Sequence, residues 1–147
     1  MGTLPAMLTL ACSFAPQTKE LATVRAILRP YAESVGAVGK ACEDVVIVAT
    51  ELAANAIEAG RGSEVRLRAS ADRQSIVIEL DNDGPDFELP SADDLPSPGQ
   101  QRGRGLWLVR ALTTDLSVER RQDRTVVRAV LGEVRPGNGA AAAVRSS

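Results

Sequence analysis

No histidine occurs among the 147 residues. That excludes imidazole acid–base catalysis, histidine metal ligands and a phosphohistidine relay carried in this chain. Aromatic residues make up only 3% of a chain that is 44% apolar. Any core must therefore be built from Val, Leu, Ile and Ala. Cysteine is scarce too. Cys12 and Cys42 are the two present, and they fit no metal-ligand spacing. They read as small buried residues of a reducing, cytoplasmic setting. Positive charge is not in excess: the formal net charge is −2. This argues against a direct nucleic-acid partner bound by phosphate neutralisation. No apolar run approaches the roughly 20 residues of a membrane span, so no membrane association is expected. The stretch 1–15 has neither a basic start nor a compact apolar segment, which argues against a signal peptide.

What is present is organised around one stretch. Val45-Val46-Ile47-Val48-Ala49 runs into Thr50-Glu51-Leu52-Ala53-Ala54-Asn55-Ala56-Ile57-Glu58-Ala59-Gly60. Ala and Leu are strong helix formers and Gly60 is a natural stop, so a buried helix is predicted over roughly 40–59. Glu51 and Asn55 are four apart and share one face of it. A carboxylate and an amide on an apolar helix are costly to bury without partners. Taken alone, the pair is better read as two solvent-facing side chains, or as Asn55 capping something local.

The rest of the chain falls into short elements. Leu8, Leu10, Cys12 and Phe14 alternate with small polar residues, which predicts a first strand ended by Pro16. Leu21, Val24, Leu28 and Tyr31 form one stripe of a helix over 18–31, with Pro30 expected to distort or stop its last turn. Gly36 and Gly39 turn the chain into the central helix. Residues 65–69 and 76–80 alternate as two strands around a turn at Asp72-Arg73. Asp81-Asn82-Asp83-Gly84-Pro85 is strong turn chemistry. From Asp86 to Gln101 no period is visible, and a loop of that length in a compact domain is expected to be functional. Gly103-Arg104-Gly105 should open a helix over 106–113. Leu116 and Val118, then Val127, Ala129 and Leu131, predict a closing hairpin about Gln122-Asp123-Arg124. The domain should occupy 1–132, with 133–147 a disordered tail. Strand, helix, helix, strand, strand, loop, helix, strand, strand predicts an α+β fold. It would be a two-layer α/β sandwich, one mostly antiparallel sheet with helices on one face.

Three polar stretches then ask for a common explanation: Glu51 with Asn55, the Asn82-Asp83-Gly84 turn, and Gly103-Arg104-Gly105. A glycine-rich turn opening a helix offers free amides and the positive end of the helix dipole to phosphate. On its own a Gly-x-Gly is more often a plain turn, and the flanking Arg102 and Arg104 are equally at home in water.

Together, Glu51-x-x-x-Asn55, Asn82-x-Gly84 and Gly103-x-Gly105-Leu106-x-Leu108-Val109 resemble the N, G1 and G2 boxes of the GHKL (Bergerat) ATPase/kinase superfamily. The resemblance covers roughly 8–131. Within the superfamily the compact chain looks most like the stand-alone anti-sigma-factor serine kinases of bacteria, the RsbW-like group. The resemblance implies a histidine-kinase-like ATP-binding domain with ATP and Mg²⁺ as cofactors. It implies Asn55 as the Mg²⁺ ligand and Glu51 as general base, a role that suits a carboxylate placed beside a γ-phosphate. It implies Gly84 at the adenine, Arg102, Gly103, Arg104, Gly105 and Leu106 at the phosphates, and residues 86–101 as the ATP lid. Thr125 matches a threonine of a late strand near the base. Implied partners are a sigma factor and a STAS-type anti-sigma-factor antagonist, with the chain a homodimer.

Two positions depart from the pattern. The adenine-reading slot, usually Asp, holds Asn82. Sliding the register to Asp81 is ruled out by the strand period, since residue 82 continues the core-facing series Ile78, Leu80 and Asp81 points away. An amide there can accept from adenine N6 and donate to N1. Asp86 stands where a glycine is usual, which alters the hinge of the lid. Three functions fit. The preferred one is a protein serine kinase that also sequesters a sigma factor. The others are a nucleotide- and partner-binding module that transfers nothing, and a detached histidine-kinase-type ATPase domain. The last is disfavoured by the missing histidine.

Overall fold

A computed structural model describes residues 8–90 and 104–132 of the chain, without the side chain of Arg104. Eight elements follow in order: β1 (Leu8–Phe14), α1 (Glu20–Ser34), α2 (Lys40–Ala59), β2 (Val65–Ala71), β3 (Ile76–Asn82), α3 (Arg104–Leu112), β4 (Asp115–Arg121) and β5 (Arg124–Leu131). The strands form one sheet in the order β1-β2-β3-β5-β4, every pair antiparallel. Three helices pack on one face, and the fold is a two-layer α+β sandwich as the pattern predicts. The part of the predicted loop from residue 91 to 101, and the predicted tail over 133–147, lie outside the described residues.

α2 is the middle of the helical layer. Its buried residues are Cys42, Val45, Val46, Val48, Ala49, Leu52, Ala53 and Ala56. They meet Ile78 and Leu80 of β3, Leu67 of β2 and Val127 and Ala129 of β5 in one aliphatic core. Each fully buried Leu, Ile or Val contributes about 1.5–3 kcal/mol. With so few aromatics, small alanines let α1 and α3 approach α2 closely.

Three expectations need correcting. Pro30 does not end α1, which continues to Ser34. The proline costs the amide that would have bonded to the Ala26 carbonyl, but residues 26 and 30 both face water. The turn beyond it is held by fully buried Ala32 and by the Tyr31 hydroxyl, which donates to the Leu8 carbonyl at 2.9 Å. Cys42 is buried, but Cys12 is only half-buried because β1 is an edge strand; both are free thiols. α3 begins at Arg104 rather than after Gly105, so Gly105 lies inside its first turn.

Asp72 closes the β2–β3 turn as its composition demands. Its Oδ1 accepts from the amides of Gln74 at 2.7 Å and Ser75 at 2.9 Å. β4 and β5 meet in a tight hairpin with Gln122 in the left-handed region at φ 56°.

Candidate functional site

The three polar stretches converge on α2. At its C-terminal end the helix runs straight into the turn after β3. The Asp83 carboxylate accepts from the Arg61 amide at 2.6 Å, tying the chain just past Gly60 to the chain just past Asn82. That amide, above all, holds the Asp83 carboxyl below the usual carboxylate range. Gly84 is packed so closely that a Cβ there would collide with the Ala59 carbonyl, and would stand 2.9 Å from Asn82 Oδ1. No other residue fits without moving the end of α2.

The Gly84 peptide is held from both sides. Its N–H donates to Asn82 Oδ1 at 2.7 Å. Its carbonyl accepts from Thr125 Oγ1 at 2.7 Å and from Arg120 Nη1 at 2.7 Å. Arg120 Nη1 also donates to Thr125 Oγ1 at 2.6 Å. These three side chains are one rung of the sheet. Asn82 faces Thr125 across β3–β5, and Thr125 faces Arg120 across β5–β4. Arg120 is the residue that sequence reasoning missed. Its signal was available: counting back from the turn at Gln122-Asp123 sets residue 120 opposite residue 125.

Asn82 and Asp81 sit on opposite faces of β3. Asn82 is 1% exposed and belongs to the face packed on the helices; its Nδ2 is buried with no hydrogen-bond partner. Asp81 is on the bare face, yet it too is buried, at 3% exposure. Arg124 Nε donates to its Oδ1 at 2.6 Å and Arg68 Nη2 to its Oδ2 at 3.1 Å. The strand period thus assigns the faces correctly, but the side turned away from the helices is not solvent. Asp81 lines a cleft of about 510 Å³ together with Arg66, Arg68, Arg121 and Arg124.

Two helical turns back along α2, Glu51 meets α3. A Cβ on Gly105 would collide with Glu51 Oε1, so the carboxylate lies directly against the first turn of α3. Glu51 and Asn55 are both partly buried. From Glu51 to Ala59 the helix rises roughly 12 Å. One wall of the site therefore carries Glu51 and Gly105 at one end, Asn55 between, and Asn82, Gly84 and Thr125 at the other. Leu106 is buried under α3 as part of the core. Arg102 and Gly103 lie outside the described residues, and Arg104 is described in backbone only. Asp86 is exposed at the start of the stretch that leaves this wall.

A nucleotide fits the features present. Gly84 and Gly105 are packed against Ala59 and Glu51 too closely for any side chain, and Asn82 Nδ2 is a buried donor with nothing to donate to. No group of three or more His, Cys, Asp or Glu able to hold a metal occurs among the described residues. Among the same residues no helix is long and apolar enough to cross a membrane.

Comparison with known proteins bears on the fold and the family. No curated protein matches. The crystal structure of the RsbU and RsbW domains of Rv1364c from Mycobacterium tuberculosis superposes with a TM-score of 0.65 at 18% identity. The match covers 92% of this chain and 34% of that one, so this chain spans about a third of its length. A histidine kinase from Acinetobacter baumannii, AdeS, aligns with a TM-score of 0.48 at 14% identity, over 84% of this chain and 68% of that one. The family model for the histidine kinase-like ATPase domain matches residues 14–131. That span contains every element from the end of β1 to the end of β5, and the chain belongs to the histidine kinase-like, GHKL-type ATPase family.

Proposed function

We propose that this chain is an ATP-dependent protein serine/threonine kinase that also acts as an anti-sigma factor. Its substrate would be a Ser or Thr of a STAS-type antagonist, and its other partner a sigma factor. The observation that carries the proposal is Glu51. It is a carboxylate pressed against Gly105 at the start of α3, one helical turn from Asn55. In this reading the purine lies against Asn82, Gly84 and Thr125. The phosphates lie at the N-terminus of α3, where the amides of Gly105 and Leu106 and the helix dipole meet negative charge; the resemblance adds Arg102, Gly103 and Arg104 as phosphate contacts.

Glu51 takes the proton from the acceptor hydroxyl. The hydroxyl oxygen forms its bond to the γ-phosphorus as the bond to the ADP oxygen breaks. Asn55 supplies a side-chain oxygen toward Mg²⁺, whose contribution when bound is to neutralise phosphate charge. A bacterial cytoplasm and a homodimeric assembly complete the reading, by analogy with the group the motifs resemble.

The test compares two substitutions. Glu51→Gln is nearly isosteric and should keep Mg-ATP binding while transfer from labelled ATP to a co-purified antagonist falls by about a hundredfold or more. Asn55→Ala should instead weaken Mg-ATP binding itself. Equal transfer by wild type and Glu51→Gln would remove Glu51 from the chemistry. Tight ATP binding with no transfer to any co-purified partner would leave a nucleotide-dependent binding module in place of a kinase.

A further inference from the structure

We infer that the base pocket does not read the six-amino group of adenine, and that a nucleotide lacking that group, purine riboside triphosphate, binds about as well as ATP. This rests on the reading above, in which a purine nucleotide lies against Asn82 and Gly84.

The argument turns on which end of the Asn82 amide is free. An amide oxygen and nitrogen have the same shape, and only their partners tell them apart. Here the partner is decisive. The Gly84 N–H stands 2.7 Å from one atom of the amide, and only oxygen can accept it. Turning the amide round would set an NH2 against that N–H, two donors at hydrogen-bond distance. Gly84 cannot yield to allow it. Its carbonyl is clamped by Thr125 and Arg120, and its Cα is pressed on the Ala59 carbonyl. Asn82 Oδ1 is therefore committed to the protein, and Nδ2 is what remains. Nδ2 is buried and unpartnered, on a side chain 1% exposed.

A free donor reads the purine edge differently from a free acceptor. Adenine carries an amino group at the six-position, itself a donor, with N1 as the acceptor beside it. The unsubstituted purine carries only a hydrogen in place of the amino group and keeps N1 as an acceptor. Nδ2 can satisfy itself on N1 of either base, one hydrogen bond in either case. No atom of Asn82 is left to reward the six-amino group. The expectation from sequence, that the amide would accept from N6 while donating to N1, needs an oxygen that the fold has already used. A carboxylate in this slot would differ. One oxygen would still take the Gly84 N–H, and the other would accept from N6, a bond that the unsubstituted purine cannot make.

The experiment is calorimetric titration of the full chain with the Mg²⁺ complexes of ATP and of purine riboside triphosphate, for wild type and Asn82→Asp. Purine riboside triphosphate is chosen because it lacks only the six-amino group and keeps N1 as an acceptor. In wild type the preference for ATP should be less than about threefold. In Asn82→Asp it should be larger by about tenfold or more, the scale of one buried polar group left unpaired. Each ratio is taken within one protein, so lost stability in the variant moves both affinities together. Should the variant not fold, the wild-type ratio alone decides. A wild-type preference for ATP beyond threefold, or a ratio unchanged by the carboxylate, overturns the inference and leaves the nucleotide site standing. Failure of both nucleotides to bind wild type overturns the site and the inference with it.

Discussion

Asp81 and Asn82 are neighbours on one strand, both almost completely buried, and they are treated in opposite ways. Asp81 receives ion pairs from Arg68 and Arg124. Arg124 is further fastened through the carbonyls of Glu64 and Asp81 at 2.7 and 3.2 Å. Asn82 accepts one hydrogen bond and leaves its nitrogen empty. Burying polar atoms is costly unless they are paired, so a saturated group is what stability alone would produce. The adjacent residue departs from that rule at Nδ2, as Arg110 does at Nε. The difference extends to the two faces of the sheet. The bare face is a closed lattice of charges, with Glu79 taking Arg68, Arg121 and Arg128. The helix-covered face is aliphatic until it reaches the end of β3, where Asn82, Thr125 and Arg120 cluster around a single glycine.

The comparison breaks most visibly if the two residues are truncated in turn. Asp81→Ala strands the partly buried Arg124 guanidinium and should cost about 3 kcal/mol in urea unfolding. Asn82→Ala should cost only about 1 kcal/mol, since the lost bond to Gly84 is offset by removing the unpaired donor. Equal losses would mean that the empty nitrogen has no special standing.

Thr125→Val sharpens the contrast from the other side of the rung. It removes a hydroxyl that is fully buried and bonded to Gly84 and Arg120. The expected cost is about 1–3 kcal/mol, with weaker nucleotide binding because the Gly84 turn loses a support. A stability loss with unchanged affinity would confine Thr125 to the fold.

The smallest effect is a pH effect on the bare face. Burial pushes the Glu79 carboxyl up, but hydrogen bonds from Arg121 and Arg68 and their charges outweigh it, and its pKa falls below the ordinary 4.5. A depressed folded-state pKa gives stability that is present above about 4.5 and is lost as pH falls through the lower folded value. Melting temperature should therefore drop on acidification below that point, and less steeply in Glu79→Gln. Parallel acid profiles for the two proteins would show that this carboxylate is not what the arginines stabilise.

Much of this was legible in the chain. The bounds of α2 follow from an Ala-rich run between Gly39 and Gly60. The alternation of Ile78 and Leu80 assigns residue 82 to the covered face. These are local rules, written in spacing. Pro30 was misleading because its effect depends on what lies past it, and a buried Ala32 and the Tyr31 bond to β1 are tertiary facts. Arg120 was legible only after the hairpin register had been counted out.

By itself, then, the sequence determined the elements, their order, and which residue types reach the site, because helix and strand periods are properties of neighbours along the chain. It also determined that any polar chemistry would rest on carboxylates, amides and glycines, since no histidine is there to do it. The tertiary structure decided which atoms remain free. Asp81 is saturated because β2 and β5 bring Arg68 and Arg124 to it from far along the chain. Asn82 is half-saturated because the end of α2 presses Gly84 into reach of its oxygen. A hydrogen bond is an agreement between two groups, and the second group is placed by folding.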